Sequence, residues 1–233
     1  MGIGGRKAER GENVMIEAVL FDIDGTLIDS NTLHVDAWAE VFADAGHDVP
    51  RAAIAGQIGK GGDNLVPSLL PDSDEAERAR LDEAHGDVFK ARYIERARPF
   101  PDAAALLRRV AADGRKVVLA SSASAAELDH YVELLGIGDI VAARTSSDDV
   151  ATTKPAPDIF AVALKKAGVQ GDRAVAVGDT PYDVTSAAGA GTNTVALLSG
   201  GFAQDVLREA GAIAIYADVA TLLADYEASP LAR

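Results

Sequence analysis

The sequence predicts an α/β protein, a Rossmann-like parallel sheet with helices on both faces and a small inserted α-helical cap domain. Three observations carry this reading. Short apolar runs of β-forming residues recur along the chain, amphipathic helical patterns lie between them, and one long interval holds helical patterns alone. Strands that alternate with helices build βαβ units and a parallel sheet. Strands covered on both faces should be apolar almost throughout, as these runs are.

In chain order, residues 1–14 (MGIGGRKAERGENV) are charged and Gly-rich without periodicity, and are expected to form a disordered or vector-derived tail ahead of a start at Met15. From Ile16, EAVLFDIDGTLIDS reads as a buried strand followed by a loop. No strand is expected between Asn31 and Arg96, where LHVDAWAEVFADAG gives one amphipathic helix and DSDEAERARLDEAHGDVFKARYIERA a long charged one. This interval, 32–97, is the expected cap, and 15–31 with 98–233 the expected core. GKGG at 59–62 and RPFP at 98–101 mark the joints. Further strands are predicted at Lys116–Ala120, Ala174–Val177, Asn193–Leu197 and Ala212–Tyr216, and helices at Ala103–Ala112, Ala125–Leu135, Asp158–Ala167 and Tyr182–Ala190.

Composition narrows the function. The 233 residues are 48% hydrophobic and 25% charged, ordinary for a globular chain of one or two domains. Zero cysteines exclude thiol catalysis, cysteine zinc sites and disulfides. With no apolar run near the roughly 18 residues of a membrane span and no apolar leader, a soluble cytoplasmic protein is expected. A balance of 22 basic to 36 acidic residues, net −14, opposes attraction to nucleic acid or an anionic membrane. An anionic substrate would therefore need local positive charge or a metal ion.

Ligands of open parallel sheets bind beyond the C-terminal strand ends, so the residues that follow each apolar run are the candidates. They are Asp22 and Asp24 after the first run, Ser121 and Ser122 after KVVLA, Lys154 in the loop TTKPAP, and Asp179 with Asp183 after AVAVG. Carboxylates for a hard divalent cation, beside a hydroxyl and an ammonium for phosphate, suit metal-dependent phosphoryl transfer. Four converging carboxylates would repel one another unless a divalent cation and Lys154 offset them.

Together DIDGTLIDS (22–30), LASSAS (119–124), KPAPDIF (154–160) and VGDTPYDV (177–184) resemble the four motifs of the haloacid dehalogenase superfamily, in order and on the expected elements. The insert between the first two motifs resembles that of the phosphoglycolate phosphatase-like and β-phosphoglucomutase-like enzymes. The resemblance implies Asp22 as nucleophile and Asp24 as general acid, then base, which separates phosphatases from dehalogenases. It implies Ser121, with Ser122 beside it, as a hydrogen-bonding partner of the phosphoryl group, and Lys154 as the cation between Asp22 and phosphate. Mg²⁺ would bind Asp22, the backbone carbonyl of Asp24, Asp179 and Asp183, the last alternatively a first-turn acid of the next helix. Gly25 would need a backbone conformation closed to bulkier residues, and Thr26 reads as a turn or capping hydroxyl.

In the insert, His34 and Trp38 share a helix face twelve and sixteen residues after Asp22, offsets at which the β-phosphoglucomutase group has a His and a Trp. They either face substrate or pack the cap. Lys60 either grips a distal anionic group or is a solvated loop lysine. GGDNLV at 61–66 lacks the arginine that those mutases carry after the cap loop. The resulting expectation is a Mg²⁺-dependent phosphatase of a small phosphorylated metabolite, of the phosphoglycolate or sugar phosphate type, working through an aspartyl-phosphate. The rivals are a phosphomutase and, less favoured, an idle binding module of the same fold. No nucleic-acid or membrane partner is expected, and the chain would be a monomer or weak homodimer.

Overall fold

The computed structural model describes residues 15–233; the predicted tail over 1–14 lies outside them. The elements run β1 (Ala18–Phe21), β2 (Ile28–Asp29), α1 (Asn31–Asp44), α2 (Arg51–Ala55), α3 (Gly62–Leu69), α4 (Glu75–Arg92), β3 (Arg98–Pro99), α5 (Ala103–Ala112), β4 (Lys116–Ala120), α6 (Ala125–Leu135), β5 (Val141–Thr145), α7 (Asp158–Ala167), β6 (Ala174–Gly178), α8 (Pro181–Gly189), β7 (Asn193–Leu197), α9 (Gln204–Ala210), β8 (Ala214–Tyr216) and α10 (Val219–Ala224). The main sheet has six strands in the order β5-β4-β1-β6-β7-β8, every neighbouring pair parallel.

The apolar runs became the central strands because both of their faces are covered. In β1, Val19 and Phe21 enter a core that includes Leu106, Leu107 and Val110 of α5 and Leu128 and Tyr131 of α6. Ala18 and Leu20 point the other way, into a cluster with Ile159, Phe160, Ala163 and Leu164 of α7. Burial of a Leu or Phe side chain stabilises by about 1.5–3 kcal/mol, so this two-sided packing favours one register strongly.

Differences from the expected elements have local causes. The strand expected from Ala212 starts at Ala214, and α8 begins one residue early, at Pro181, whose fixed φ suits the first helical turn. β5 was not anticipated: its sequence VAART alternates half-buried and exposed positions, as an edge strand can. α2, α3, α9 and α10 are short helices with few buried residues, which gives periodicity little to register. Between β2 and β3, which pair antiparallel at Ile28–Pro99 and Asp29–Arg98, the chain leaves and rejoins the sheet body.

Helices α1–α4 build an apolar cluster of their own around Trp38, Phe42, Ile54, Leu65, Val66 and Leu81. The charged α4 buries only Leu81 and Phe89 among its residues. Among the described residues no helix is long and apolar enough to cross a membrane.

Candidate active site

The first, third and fourth motifs meet at the carboxyl edge of β1 and β6. The Asp22 N–H donates to Val177 O (2.9 Å), extending the β1–β6 pairing by one residue and fixing where the aspartate emerges. Lys154 reaches the same point from the loop before α7. Its Nζ donates to Asp22 Oδ1 and lies 2.8 Å from Asp183 Oδ1. With only 1% of its surface exposed, Lys154 is a buried cation, and such a group persists only when paired. Burial alone would lower its pKa; the carboxylates of Asp183 and Asp22 reverse that and raise it.

Asp22, Asp179 and Asp183 are all buried, and each offers an oxygen within 4.8 Å of the others. Burial pushes Asp22 up to about 7, against the opposing pull of Lys154, and burial with Asp183 and Asp22 nearby pushes Asp179 well above the ordinary carboxylate range. Three buried carboxylates with one ammonium leave excess negative charge, and the donors are all hard oxygens; a divalent cation of the Mg²⁺ type fits both facts. The Asp24 carboxylate is not part of this group. It turns towards Ser30 and His34, which leaves the backbone carbonyl as the contribution expected of that residue.

Two residues support this cluster in a way the sequence did not indicate: Thr26, read as a turn or capping hydroxyl, and Asn31, not singled out at all. The Thr26 hydroxyl donates to Asp179 Oδ1 (2.6 Å) and lies 3.3 Å from Asp22 Oδ2, so it spans two carboxylates rather than merely closing a turn. Asn31 Nδ2 donates to Asp179 Oδ2 (3.1 Å) from the first residue of α1. Gly25 sits at φ +76°, where a Cβ would also run into the Asn31 and Asp179 side chains, so glycine is required twice over. Asp183 combines both of its expected readings. It forms a capping box with Thr180, its Oδ2 accepting from the Thr180 N–H (3.0 Å), while Oδ1 faces Lys154.

Asp24 accepts from Ser30 Oγ (2.6 Å), and His34 Nε2 lies 3.2 Å from the same Oδ1. Burial raises its pKa, but His34 and the two hydrogen bonds outweigh that and hold Asp24 below its ordinary range. His34 is raised in turn, because Asp24 outweighs the effect of its own burial. Its Nδ1 lies 3.3 Å from His85 Nε2, and burial together with His34 pushes His85 well below the usual imidazole range. These shifts fit a cationic His34 that donates to Asp24 on one side and to a neutral His85 on the other. His85 stacks on Trp38 (4.1 Å, 6°) and His34 on Phe89 (3.8 Å, 5°), so Trp38 packs inside the insert with its edge at the cleft. His85, in the middle of a charged helix pattern, carried no signal of its own in the sequence.

Between insert and sheet lies a cleft of about 680 Å³. Asp22, Asp24, His34, Lys60, Ser121 and Ser122 all line it. Ser121 Oγ accepts from the Ala123 N–H (3.0 Å), whereas the buried Ser122 Oγ has no protein partner. The Lys60 ammonium donates to Gln57 Oε1 and to Ser68 Oγ (2.9 Å) and sits 4.7 Å from the Tyr182 ring centroid. It is thus engaged by neighbours within the insert and by α8, and burial lowers its pKa.

Asp82 of α4 also opens into the cleft. Burial, with Asp63 and Glu127 nearby, pushes its carboxyl up from 3.8 to about 6. Between those values the folded chain holds a proton that the unfolded chain has lost, so stability falls as pH rises through the window. Asp82→Asn removes the penalty: it is expected to raise the melting temperature at about pH 8 and to leave it unchanged at about pH 4. Thermal unfolding across this range checks the expectation, and an equal shift at both ends would contradict it.

Comparison with known proteins bears on the same residues. The signature of the haloacid dehalogenase-like hydrolases matches residues 16–191. A phosphoglycolate phosphatase from Rhodospirillum rubrum is 30% identical over 217 residues, covering 89% of this chain and 90% of the relative. A hydrolase from Pseudomonas syringae superposes with a TM-score of 0.85 at 29% identity, covering 91% and 98% of the two chains. CbbY from Rhodobacter sphaeroides, solved in complex with phosphate, superposes at 0.73 with 28% identity, covering 89% and 96%. The matched span takes in every motif that meets at the sheet edge, and the chain belongs to the haloacid dehalogenase-like hydrolase family.

Proposed function

We propose that this hydrolase is a Mg²⁺-dependent phosphatase of small phosphorylated metabolites, with Asp22 as nucleophile and an aspartyl-phosphate as intermediate. The observation that carries the reading is the placement of Asp22: it faces the cleft while a buried lysine holds one of its oxygens, and Asp24, held by Ser30 and His34, lines the cleft beside it. The named relatives, a phosphoglycolate phosphatase and a CbbY holding phosphate, support phosphate esters as the substrate class. Cytoplasmic location is part of the same proposal.

In the first half-reaction an Asp22 carboxylate oxygen attacks phosphorus, the bond from phosphorus to the ester oxygen breaks, and Asp24 delivers a proton to that oxygen, so the alcohol leaves neutral. Asp24 is held ionised in the free protein, and an ester bound as its monoanion supplies the proton to be passed on. In the second half, water attacks the same phosphorus, Asp24 takes the proton from that water, and Asp22 is regenerated as phosphate leaves. Lys154 balances charge on Asp22 throughout, and Ser121 and Ser122 stand at the cleft wall to meet phosphoryl oxygens. Asp22, Asp179, Asp183 and the Asp24 carbonyl would hold a divalent cation, which when bound would supply further positive charge to the reaction.

A phosphate-release screen over sugar phosphates, phosphoglycolate, nucleotides and polyol phosphates tests the reading. Release from at least one ester is expected with Mg²⁺, abolished by chelation and restored on adding Mg²⁺ back. Full activity in chelated protein, or none on any ester, rejects it. The missing arginine weighs against the mutase alternative. At the stretch where those enzymes carry arginine, Asp63 and Asn64 are bound to Thr153 instead.

A further inference from the structure

We propose that Thr153 is a positioning residue through which the seating of the insert on the sheet body sets Lys154. The role given to Lys154 rests on the phosphatase reading above; the contacts that carry the inference do not.

Thr153 sits in the loop before α7 with 7% of its surface exposed, and the segment Gly61–Asn64 of the insert engages each of its polar groups. Its N–H donates to Asp63 Oδ2 (3.0 Å). Its hydroxyl donates to Asp63 Oδ1 and accepts from the Gly61 N–H (3.0 Å). Its carbonyl, which also takes the Ala156 N–H (3.1 Å), accepts from Asn64 Nδ2 (3.1 Å). A carboxylate that accepts two hydrogen bonds from one residue fixes that residue's orientation as well as its distance, because both must be satisfied together.

The next residue is Lys154. Its peptide link to Thr153 is planar and stiff, so an anchored Thr153 amide and carbonyl hold the Lys154 Cα as well. From there the side chain reaches the space between Asp22 and Asp183. A displacement of about 1 Å at a reacting group can cost about a hundredfold in rate, so an anchor one residue away has a measurable consequence.

A second strip of the insert touches the other half of the ion pair. Gly59, at φ +101°, lies against Thr180 so closely that a Cβ would meet the Thr180 side chain, and Thr180 forms the capping box with Asp183. The Tyr182 hydroxyl donates to Gly56 O from the same helix. The loop of the insert therefore bears on both elements that present partners to Asp22. Were the insert displaced from the sheet body, Thr153 would lose every one of these contacts at once except that to Ala156, and the Lys154 backbone would lose its anchor.

The test uses para-nitrophenyl phosphate and Mg²⁺ with Thr153→Val, Thr153→Ser, Asp63→Ala and the double variant Asp63→Ala/Thr153→Val. Thr153→Val is expected to lower kcat about tenfold with KM within about twofold, and Thr153→Ser to stay within about twofold of wild type on both, since it keeps the hydroxyl. The double variant should lose less than the product of the two single losses, because both single variants remove the contact between the Thr153 hydroxyl and Asp63. Wild-type kcat in Thr153→Val, or single losses that multiply in the double variant, overturns the proposal. Hydrogen exchange of the Thr153 amide gives a readout that stands apart from turnover. Faster exchange in Asp63→Ala, with protection elsewhere unchanged, supports the anchor; wild-type protection overturns it. If the wild-type protein hydrolyses no ester, the phosphatase reading fails, and the exchange measurement still decides whether the anchor exists.

Discussion

Asp22→Asn is expected to retain less than about 1% of wild-type turnover while folding at least as stably in the absence of metal. The loss of rate follows from removing the attacking oxygen: a hundredfold corresponds to about 2.7 kcal/mol of barrier at a tenfold loss per 1.36 kcal/mol, and the amide offers no comparable nucleophile. Stability should hold because the ionised Asp22 carboxylate is itself unfavourable in the fold. Its pKa is pushed up to about 7, first by burial and then by Asp183 and Asp24, despite the pull of Lys154. The asparagine keeps the volume and loses the charge, and Lys154 retains Asp183 as a partner. Kinetics on the best ester from the screen, with thermal unfolding in chelator at about pH 8, checks both halves. Turnover well above 1% would remove Asp22 as nucleophile, and a large fall in melting temperature would show that the lost turnover reflects lost structure.

Replacement of the buried lysine should damage both activity and stability, with a signature that depends on metal. Lys154→Met keeps an unbranched apolar stem and removes Nζ, which lies 5.2 Å from the Phe160 ring centroid, leaving Asp22 and Asp183 without their ammonium. Breaking a buried ion pair from one side costs roughly 3–5 kcal/mol, because a charge stays behind unpaired. Loss of one preorganised charge-stabilising group lowers kcat by about 10²–10³. The cluster of Asp22, Asp179 and Asp183 becomes more negative by one charge, so Mg²⁺ should raise the melting temperature of the variant by more than it raises that of wild type. An equal Mg²⁺ effect in both proteins would mean that the cation does not share this cluster with Lys154, and activity within about tenfold of wild type would remove the lysine from the chemistry.

Much of the protein was legible before its structure. The strands β1, β4, β6 and β7 appear as continuous apolar runs, and α5, α6 and α7 fall on the residues that helical periodicity marked, because burial on two faces or one leaves its period in the sequence. The chemistry-bearing residues were legible for a related reason. Parallel strands present their following residues at one edge, so Asp22, Ser121 and Asp179 could be grouped without knowing which strand neighbours which.

Where local pattern is weak, the sequence was silent. The edge strand β5 alternates half-buried and exposed positions in VAART, and α2, with Ile54 as its one buried residue, has too little apolar face to register. Capping was read as an alternative to a site role for Asp183, whereas the fold uses one oxygen for each.

The sequence by itself determined the α/β class, the order of the motifs and the kinds of functional group that meet. Only the tertiary structure decided which side chains hold those groups in place: Thr26 on Asp179 across 153 positions, Asn31 on Asp179 across 148, Asp63 on Thr153 across 90 and His85 behind His34 across 51. The physical reason is that a hydrophobic period records which face of an element is buried, not what covers it. Hydroxyl, amide and imidazole side chains occur equally in turns and on surfaces. Their partners are set by the strand order and by the seating of the insert, and neither leaves a local trace in the chain.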